Sequence, residues 1–269
     1  MSGALLSFLS MAIAGRELSA ELNPFQIVLL RNSMSLTILV VILSRIGWHL
    51  VTTPRLSRHV LRNSVHFAAQ CMWLYAVANM PIAEVFAVEF TTPIWVALLA
   101  AAFLGERLTR VRMAAIALGF TGVLIILRPG IEIIDIAAFA ALGSAIGYAT
   151  TYVITKDMVG RERPITILFW MNLVQLPLAL VPSIPQWVTP SPAMWPWLGV
   201  MAVVGLSSHY CISRALSYGD ASIVTPLDFL RLPLAAVLAW FLYAEALHPL
   251  VFVGAVVIFV GNWINVRRS

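Results

Sequence analysis

Four ionisable side chains lie inside long apolar stretches of the sequence, where a charge is costly. Arg31 and Glu89 occur at similar depths in two such stretches, and Asp228 and Arg231 are three residues apart in another. A charge at the centre of a bilayer costs roughly 2.5–3.5 kcal/mol, so such residues usually face the protein interior and often belong to a site. Either the members of each couple neutralise each other, or they bind the carboxylate and ammonium groups of an amino acid. Both interpretations stay open at this stage.

Two histidines, His66 and His209, occupy apolar stretches in the two halves of the chain. Histidine titrates near neutral pH, so either residue could carry a proton, and the alternative role is a hydrogen-bonded packing residue. Neither forms a convincing metal-ligand set with the nearby Cys71 or Cys211, and these two cysteines form no disulfide framework. We therefore expect no metal and no cofactor.

Aromatic and amide side chains accompany these groups within the apolar stretches. Tyrosine and tryptophan offer apolar faces with a polar edge, which suits a zwitterion with a variable side chain. Each such residue alone is typical of packing, but as a set they predict one polar cavity. The candidate substrate-binding residues are Arg31, His66, Gln70, Trp73, Glu89, Tyr148, Tyr152, Trp170, Asn172, His209, Asp228 and Arg231.

The composition indicates the solvent in which these residues must be positioned. Of 269 residues, 61% are hydrophobic and only 11% are charged, and the mean hydropathy is +0.91. A soluble domain has about 25% charged residues, so a soluble enzyme, a disordered chain and a disulfide-rich secreted module are excluded. The net charge of +5 comes with no basic patch interleaved with aromatics, so we expect no nucleic-acid partner.

Ten apolar segments have the length of about 20 residues that crosses a bilayer. The first ends close to Arg16 and Glu17 and resembles a signal peptide, but no Lys or Arg precedes it, so we interpret it as a retained helix. The predicted spans lie near residues 3–20, 24–44, 60–79, 82–104, 111–127, 134–155, 164–183, 195–216, 221–243 and 249–266.

The distribution of Lys and Arg predicts the orientation of these spans. With a cytoplasmic N-terminus, thirteen of the 17 basic residues fall on the cytoplasmic side, and only Arg16 and Arg128 fall outside. Cytoplasmic loops carry the excess of Lys and Arg in membrane proteins. We therefore expect a multi-pass protein of the inner membrane with both termini in the cytoplasm.

An internal repeat divides the chain into two halves. Residues 97–108 and 236–247 align at an offset of 139, with Glu106 matching Glu245, and Pro93 and Pro233 precede them at an offset of 140. Five spans in each half place the halves in opposite orientations, as in the inverted repeats of many secondary transporters. The expected fold is an all-α membrane protein with ten transmembrane helices, arranged as two inverted five-helix repeats (1–130 and 131–269) around a central cavity.

Three segments resemble drug/metabolite transporters of the EamA type. Thr92–Leu108 resembles their fourth helix, Gly119–Gly130 resembles the end of their fifth, and Thr225–Pro233 is similar to the branch of YddG-like amino-acid exporters and S-adenosylmethionine carriers. The resemblance covers nearly the whole chain and implies ten helices, a central cavity and no ATP-binding part. It also implies that Glu106 and Glu245 serve helix ends and packing.

The function that this resemblance implies is transport of a small metabolite by alternating access, with amino-acid export as the sharper form. Uptake of S-adenosylmethionine or a nucleotide-type metabolite is the alternative. A membrane enzyme acting on lipid-linked substrates is a distant alternative, because the sequence has no HExxH, GxSxG or P-loop motif. The inverted repeat disfavours a channel. We expect a monomer whose partners are the small-molecule substrate and the lipid bilayer.

The predicted orientation can be tested by thiol labelling. Cysteines placed at Ser57 and Gly160 lie in the two Arg-rich loops assigned to the cytoplasm. We expect both to resist an impermeant thiol reagent in intact cells and to react after the cells are permeabilised. Labelling of either position in intact cells would overturn the assignment.

Overall fold

The computed structural model describes residues 2–104, 110–127, 135–159, 161–218, 231–245 and 249–267. Over these residues the fold is helical, with short 3-10 turns at Trp48–Val51 and Ile184–Gln186 and no strand. The helices are α1 (Ser2–Leu18), α2 (Pro24–Ile46), α3 (Leu56–Asn79), α4 (Ile82–Glu89), α5 (Thr92–Leu104), α6 (Arg110–Leu127), α7 (Ile136–Val159), α8 (Pro164–Ser183), α9 (Met194–Tyr218), α10 (Arg231–Tyr243) and α11 (Pro249–Arg267).

These helices follow the apolar segments of the sequence closely. Predicted spans 24–44 and 164–183, for example, correspond to α2 and α8. Within the described parts of the chain, four stretches are long and apolar enough to cross a membrane: Pro24–Ile46, Ile82–Phe103, Ile136–Val159 and Pro164–Gln186. Large apolar side chains such as Phe103 and Phe241 are more than three-quarters exposed, as expected for a surface that faces lipid. The fold is therefore that of a multi-pass helical membrane protein.

The helix starts follow local sequence signals. The Asn23 side chain accepts a hydrogen bond from the Gln26 amide at 3.0 Å, and Pro24 occupies the first position of α2. Pro164 begins α8 in the same way. Proline suits the first helical turn because an amide hydrogen at that position would have no acceptor within the helix. Asparagine is a preferred N-cap residue.

The predicted span 82–104 is one apolar stretch but two helices. Helix α4 ends at Glu89 and α5 begins at Thr92, with Phe90 and Thr91 in a turn between them. Pro93 lacks an amide hydrogen, and its ring would clash with the Glu89 carbonyl in a continuous helix. That carbonyl instead accepts a hydrogen bond from the Thr92 hydroxyl at 2.6 Å. The break therefore places the Glu89 side chain at a helix end inside the bundle.

Helices from the first and second parts of the chain pack against one another in pairs. The most extensive pairings are α6 with α11, α3 with α7, α1 with α9 and α2 with α8. Further contacts join α3 to α8, α2 to α9 and α4 to α10. The bundle is thus held together by contacts between the two parts of the chain.

Glycines allow the closest of these approaches. A Cβ atom on Gly147 of α7 would lie 2.7 Å from the Cβ of Ala69 on α3. At the α6–α11 contact, a Cβ on Gly122 would lie 2.6 Å from the Gly254 carbonyl oxygen, and one on Gly254 would lie 2.7 Å from that of Gly122. Small residues of this kind let helix backbones approach within a membrane. The reciprocal geometry means that the two backbones touch at this point.

Substitution of Gly254 should therefore separate α6 from α11. We expect Gly254→Ala to destabilise the protein by about 1–3 kcal/mol, because overpacking a tight contact costs that much. The measurement is the thermal melting temperature in detergent. Gly199→Ala is the control, because a Cβ there would meet only the Met34 methyl at 3.8 Å. An equal effect of both variants would show that this backbone contact has no special importance.

Candidate functional site

One polar cavity lies among α1, α3, α4, α7 and α9. It contains about 560 Å³ of space between atoms, its open mouth included. Two apolar side chains of α1, Phe8 and Met11, contribute to its wall. The remaining lining residues are Arg62, His66, Gln70, Trp73, Glu89, Tyr148, Thr151, Tyr152, Thr155, His209, Ile212 and Ser213.

Seven of the twelve residues predicted from the sequence line this cavity. Helix α3 contributes three of them at spacings of four and three residues, which place side chains on one helix face. Helix α7 contributes two tyrosines, and α4 and α9 contribute one residue each. The seven are His66, Gln70, Trp73, Glu89, Tyr148, Tyr152 and His209.

Arg31 lies behind the cavity wall and reaches it through a neighbour. It is only 3% exposed, and its Nη2 donates to the Asn32 Oδ1 at 2.7 Å and to the Gln70 Oε1 at 3.1 Å. The Glu89 carboxylate accepts a hydrogen bond from the Trp73 indole at 3.2 Å. The contacts that the structure describes for Arg31 are thus with amide oxygens, and the ion pair with Glu89 stays a prediction.

A buried chain of polar side chains connects Arg31 to the histidines. The Asn32 Nδ2 donates to the Gln175 Oε1 at 2.9 Å, and the Gln175 Nε2 lies 2.9 Å from the His66 Nδ1. The His66 and His209 rings meet edge to face, with their centroids 4.9 Å apart. This contact brings together the two histidines that the sequence places in different halves.

Arg62 is a lining residue that the sequence analysis missed. The sequence analysis counts it only as one of the thirteen basic residues of the cytoplasmic side. In the structure it lies in the second turn of α3 and is 3% exposed. Its Nε donates to the Thr155 hydroxyl at 2.8 Å, and its Nη1 donates to the Asn63 Oδ1 at 2.6 Å. Its position four residues before His66, hence on the same helix face, is the signal that could have revealed it.

Two predicted residues, Trp170 and Asn172, have partners outside the cavity, and two more are not described at the level of their side chains. The Trp170 indole donates to the Val51 carbonyl at 2.9 Å, and the Asn172 amide donates to the Leu168 carbonyl of its own helix at 2.8 Å. Neither residue is part of the cavity lining. Asp228 lies outside the described residues, and Arg231 is described only as the first residue of α10.

Glu245 has the structural role that the resemblance implied, whereas Glu106 lies outside the described residues. The Glu245 Oε2 accepts a hydrogen bond from the Ile82 amide, in the first turn of α4, at 2.9 Å. Its Oε1 lies 3.2 Å from the Arg16 Nη2. A carboxylate at a helix N-terminus satisfies a free amide and interacts favourably with the helix dipole.

The chemistry of the site is that of binding. Among the described residues, no group of three or more His, Cys, Asp or Glu side chains could hold a metal ion. The cavity instead offers an arginine, a carboxylate, hydroxyl groups and several aromatic rings. Apolar walls with a few fixed polar groups are typical of a small-molecule site.

Comparison with known proteins defines the class. The EamA-like transporter family model matches residues 1–128 and 135–267, and the chain belongs to this family of transporters. One solved crystal structure superposes on 98% of this chain and 96% of its own with a TM-score of 0.69 at 16% identity, which shows that the fold is shared.

Three curated relatives are named as carriers of different metabolites. The chain is 32% identical to the riboflavin transporter of Rhizobium johnstonii, over 84% of this chain and 76% of the relative. It is 27% identical to the S-adenosylmethionine uptake transporter of Rickettsia felis, over 94% and 87%. It is also 26% identical to the pseudopaline exporter of Pseudomonas aeruginosa, over 96% and 94%. The protein is therefore a membrane transporter of small molecules.

Proposed function

We propose that this protein is a secondary carrier of the cytoplasmic membrane that works by alternating access, with two inverted halves at 1–130 and 131–269 and both termini in the cytoplasm. The pairing of helices supports the two-fold relation. If each predicted span is exchanged with the span five places away, the α1–α9 contact becomes α7–α3, and α3–α8 becomes α9–α2. The α2–α8, α4–α10 and α6–α11 contacts are unchanged by this exchange. The family match in two segments is also consistent with it.

The substrate that the cavity favours is an extended polar metabolite with a heteroaromatic ring. The single observation that carries this proposal is the separation of two charged groups in the cavity lining. Arg62 lies on α3, and the Glu89 carboxylate of α4 accepts a hydrogen bond from Trp73, which lies further along α3. Eleven residues of helix separate these two positions, which is about 16 Å at 1.5 Å per residue. The groups that an α-amino acid carries on one carbon atom are too close together to reach both.

Aromatic side chains lie between these charged ends. The rings of His66 and Tyr148 are 5.7 Å apart, and Tyr152 lies one turn further along α7. Such rings stack on planar ligands and leave polar edges for hydrogen bonds. S-adenosylmethionine, which the Rickettsia felis relative is named for, has a purine ring at one end and a charged amino-acid part at the other. We therefore propose nucleoside-type metabolites of this kind as the substrate class.

Amino-acid export is the second candidate. Arg62 and Glu89 line one cavity, so the site has a cationic partner for the α-carboxylate of an amino acid and an anionic partner for an ammonium group on its side chain. A long amino acid with a charged or aromatic side chain could contact both ends. The experiment that separates the candidates is flux into proteoliposomes, with S-adenosylmethionine, riboflavin and a panel of amino acids offered in turn.

Arg62→Gln should lower this flux by about tenfold or more, because a hydrogen bond to a charged group contributes about 1.5–3 kcal/mol. Arg58→Gln is the matched control, since Arg58 lies one turn earlier on α3 with its side chain 53% exposed. We expect the control to transport normally. Equal flux from both variants would remove Arg62 from the site, and absence of saturable flux for every compound would contradict the proposed substrate classes.

The energy source is a separate part of the proposal. A sodium site would use unwound backbone carbonyls and acidic side chains, whereas a proton needs only one titratable group, and His66, His209, Glu89 and Asp228 are candidates. We expect concentrative transport to depend on an imposed pH gradient and not on sodium, and His209→Gln to abolish this dependence. Dependence on sodium would contradict proton coupling, and flux insensitive to both gradients would identify a facilitated carrier.

A further inference from the structure

A buried chain of hydrogen bonds runs from Arg31 to His66 behind the cavity, and Arg31 fixes which group in each bond is the donor. Arg31, Asn32, Gln175 and His66 are each no more than 3% exposed, so their hydrogen bonds are made with one another rather than with bulk water. The chain crosses three helices, since it begins on α2, passes through α8 and ends on α3. In a chain of hydrogen-bonded amide groups, each bond determines whether an amide presents its oxygen or its nitrogen to the next residue.

An arginine side chain has only donors, and this fact orients Asn32. The Arg31 Nε and Nη2 both lie within hydrogen-bond distance of the Asn32 Oδ1, at 3.2 and 2.7 Å. The reversed amide would place the Nδ2 hydrogens against the guanidinium hydrogens. Asn32 must therefore present its oxygen to Arg31 and its Nδ2 to Gln175.

Gln175 is oriented from two sides. Its Oε1 faces the donor Nδ2 of Asn32 at 2.9 Å, and its Nε2 faces the backbone carbonyl oxygen of Asn63 at 3.4 Å. A carbonyl oxygen can only accept, so the Asn63 contact supports the same orientation independently. The Nε2 of Gln175 is consequently the atom that faces the His66 Nδ1 at 2.9 Å, and it does so as a donor.

We infer that Arg31, acting through Asn32 and Gln175, holds His66 in the neutral tautomer that accepts at Nδ1 and carries its hydrogen on Nε2. Arg31 is then a positioning residue, and His66 is a fixed hydrogen-bond donor in the cavity wall. The tautomer follows from the hydrogen bonds alone. The role of the Nε2 hydrogen rests on the proposed function: it donates a hydrogen bond to a ligand acceptor such as a ring nitrogen, a carbonyl or a carboxylate.

The same chain opposes addition of a second proton to His66. A hydrogen on Nδ1 would point at the Gln175 amide hydrogens, and rotation of both amides to relieve this contact would turn the Asn32 Nδ2 towards Arg31. Among the described residues, the other charged or titratable groups that line the cavity with His66 are Arg62 on its own helix, Glu89 on α4, Tyr148 and Tyr152 on α7 and His209 on α9. We therefore expect His66 to stay neutral, which leaves His209, Glu89 and Asp228 as the candidates for uptake of a proton.

Nitrogen-15 NMR of the histidine-labelled protein tests the inference directly. The shifts of the ring nitrogens distinguish a protonated from an unprotonated atom, and the His66 signals are those that His66→Gln removes. We expect the unsubstituted protein to show an unprotonated Nδ1 and a protonated Nε2. Gln175→Glu places a carboxylate oxygen opposite the His66 Nδ1. In this variant the His66 Nδ1 signal should therefore move to the protonated range.

Asn172→Asp is the matched control for Gln175→Glu. It adds the same charge one turn away on α8, where the amide bonds to its own helix and not to His66, so the His66 tautomer should be unchanged. Arg31→Lys keeps a donor-only side chain and should retain the tautomer, whereas Arg31→Gln should allow both tautomers. Melting temperatures identify any variant that does not fold, and the remaining variants still give a result.

Three results would overturn the inference. They are a hydrogen on Nδ1 of His66 in the unsubstituted protein, an unchanged Nδ1 signal in folded Gln175→Glu, or an equal shift in Asn172→Asp. None of these measurements needs a substrate. Failure of every flux assay would therefore contradict the proposed function and not the inferred tautomer of His66. A different tautomer in the NMR measurement would contradict the inference and not the proposed function.

Discussion

Lipid offers no hydrogen bonds, so a polar side chain at the centre of this helix bundle must find its partner elsewhere in the chain. The buried amides of Asn32, Gln70 and Gln175 meet this requirement around Arg31, and in doing so they join α2, α3 and α8. Gln175 extends the connection to His66, whose ring lies against that of His209 on α9. The hydrogen bonds that satisfy these buried polar side chains therefore also position the wall of the cavity.

Contacts between the two parts of the chain also close each end of the bundle. At one end, Glu245 joins the start of α4 to Arg16, whose guanidinium lies 5.6 Å from the centre of the Tyr243 ring. At the other end, the Glu162 carboxylate accepts from Thr53 and lies 2.5 Å from the Nε2 of His59. In the proposed alternating-access mechanism, one such set of contacts would break while the other holds.

Much of this architecture could be predicted from local sequence. Long apolar runs have few alternatives to helix in a membrane, which is why α2 and α8 coincide with predicted spans. Gly143 and Gly147 are four residues apart, a spacing that is typical of close helix packing in membranes, and Gly147 does lie against Ala69 of α3. A proline inside a span, such as Pro93, frees a backbone carbonyl, but the division into α4 and α5 was not predicted. Arg62 was counted only among the basic residues of the cytoplasmic side, and its place in the cavity lining was missed, because counting charges ignores the direction in which a side chain near a helix end points.

What the sequence determined by itself is the solvent, the helices, the family and seven members of the cavity lining, because these depend on composition, periodicity and short motifs. The tertiary structure decided which polar groups are partners. Residue numbers show that Arg31 and Glu89 have matching depths, but they do not show that Arg31 bonds to Asn32 and Gln70 or that Glu89 accepts from Trp73. Depth along a helix can be counted from residue numbers, but the rotation of each helix about its axis is set by packing against its neighbours. That rotation determines which side chains meet.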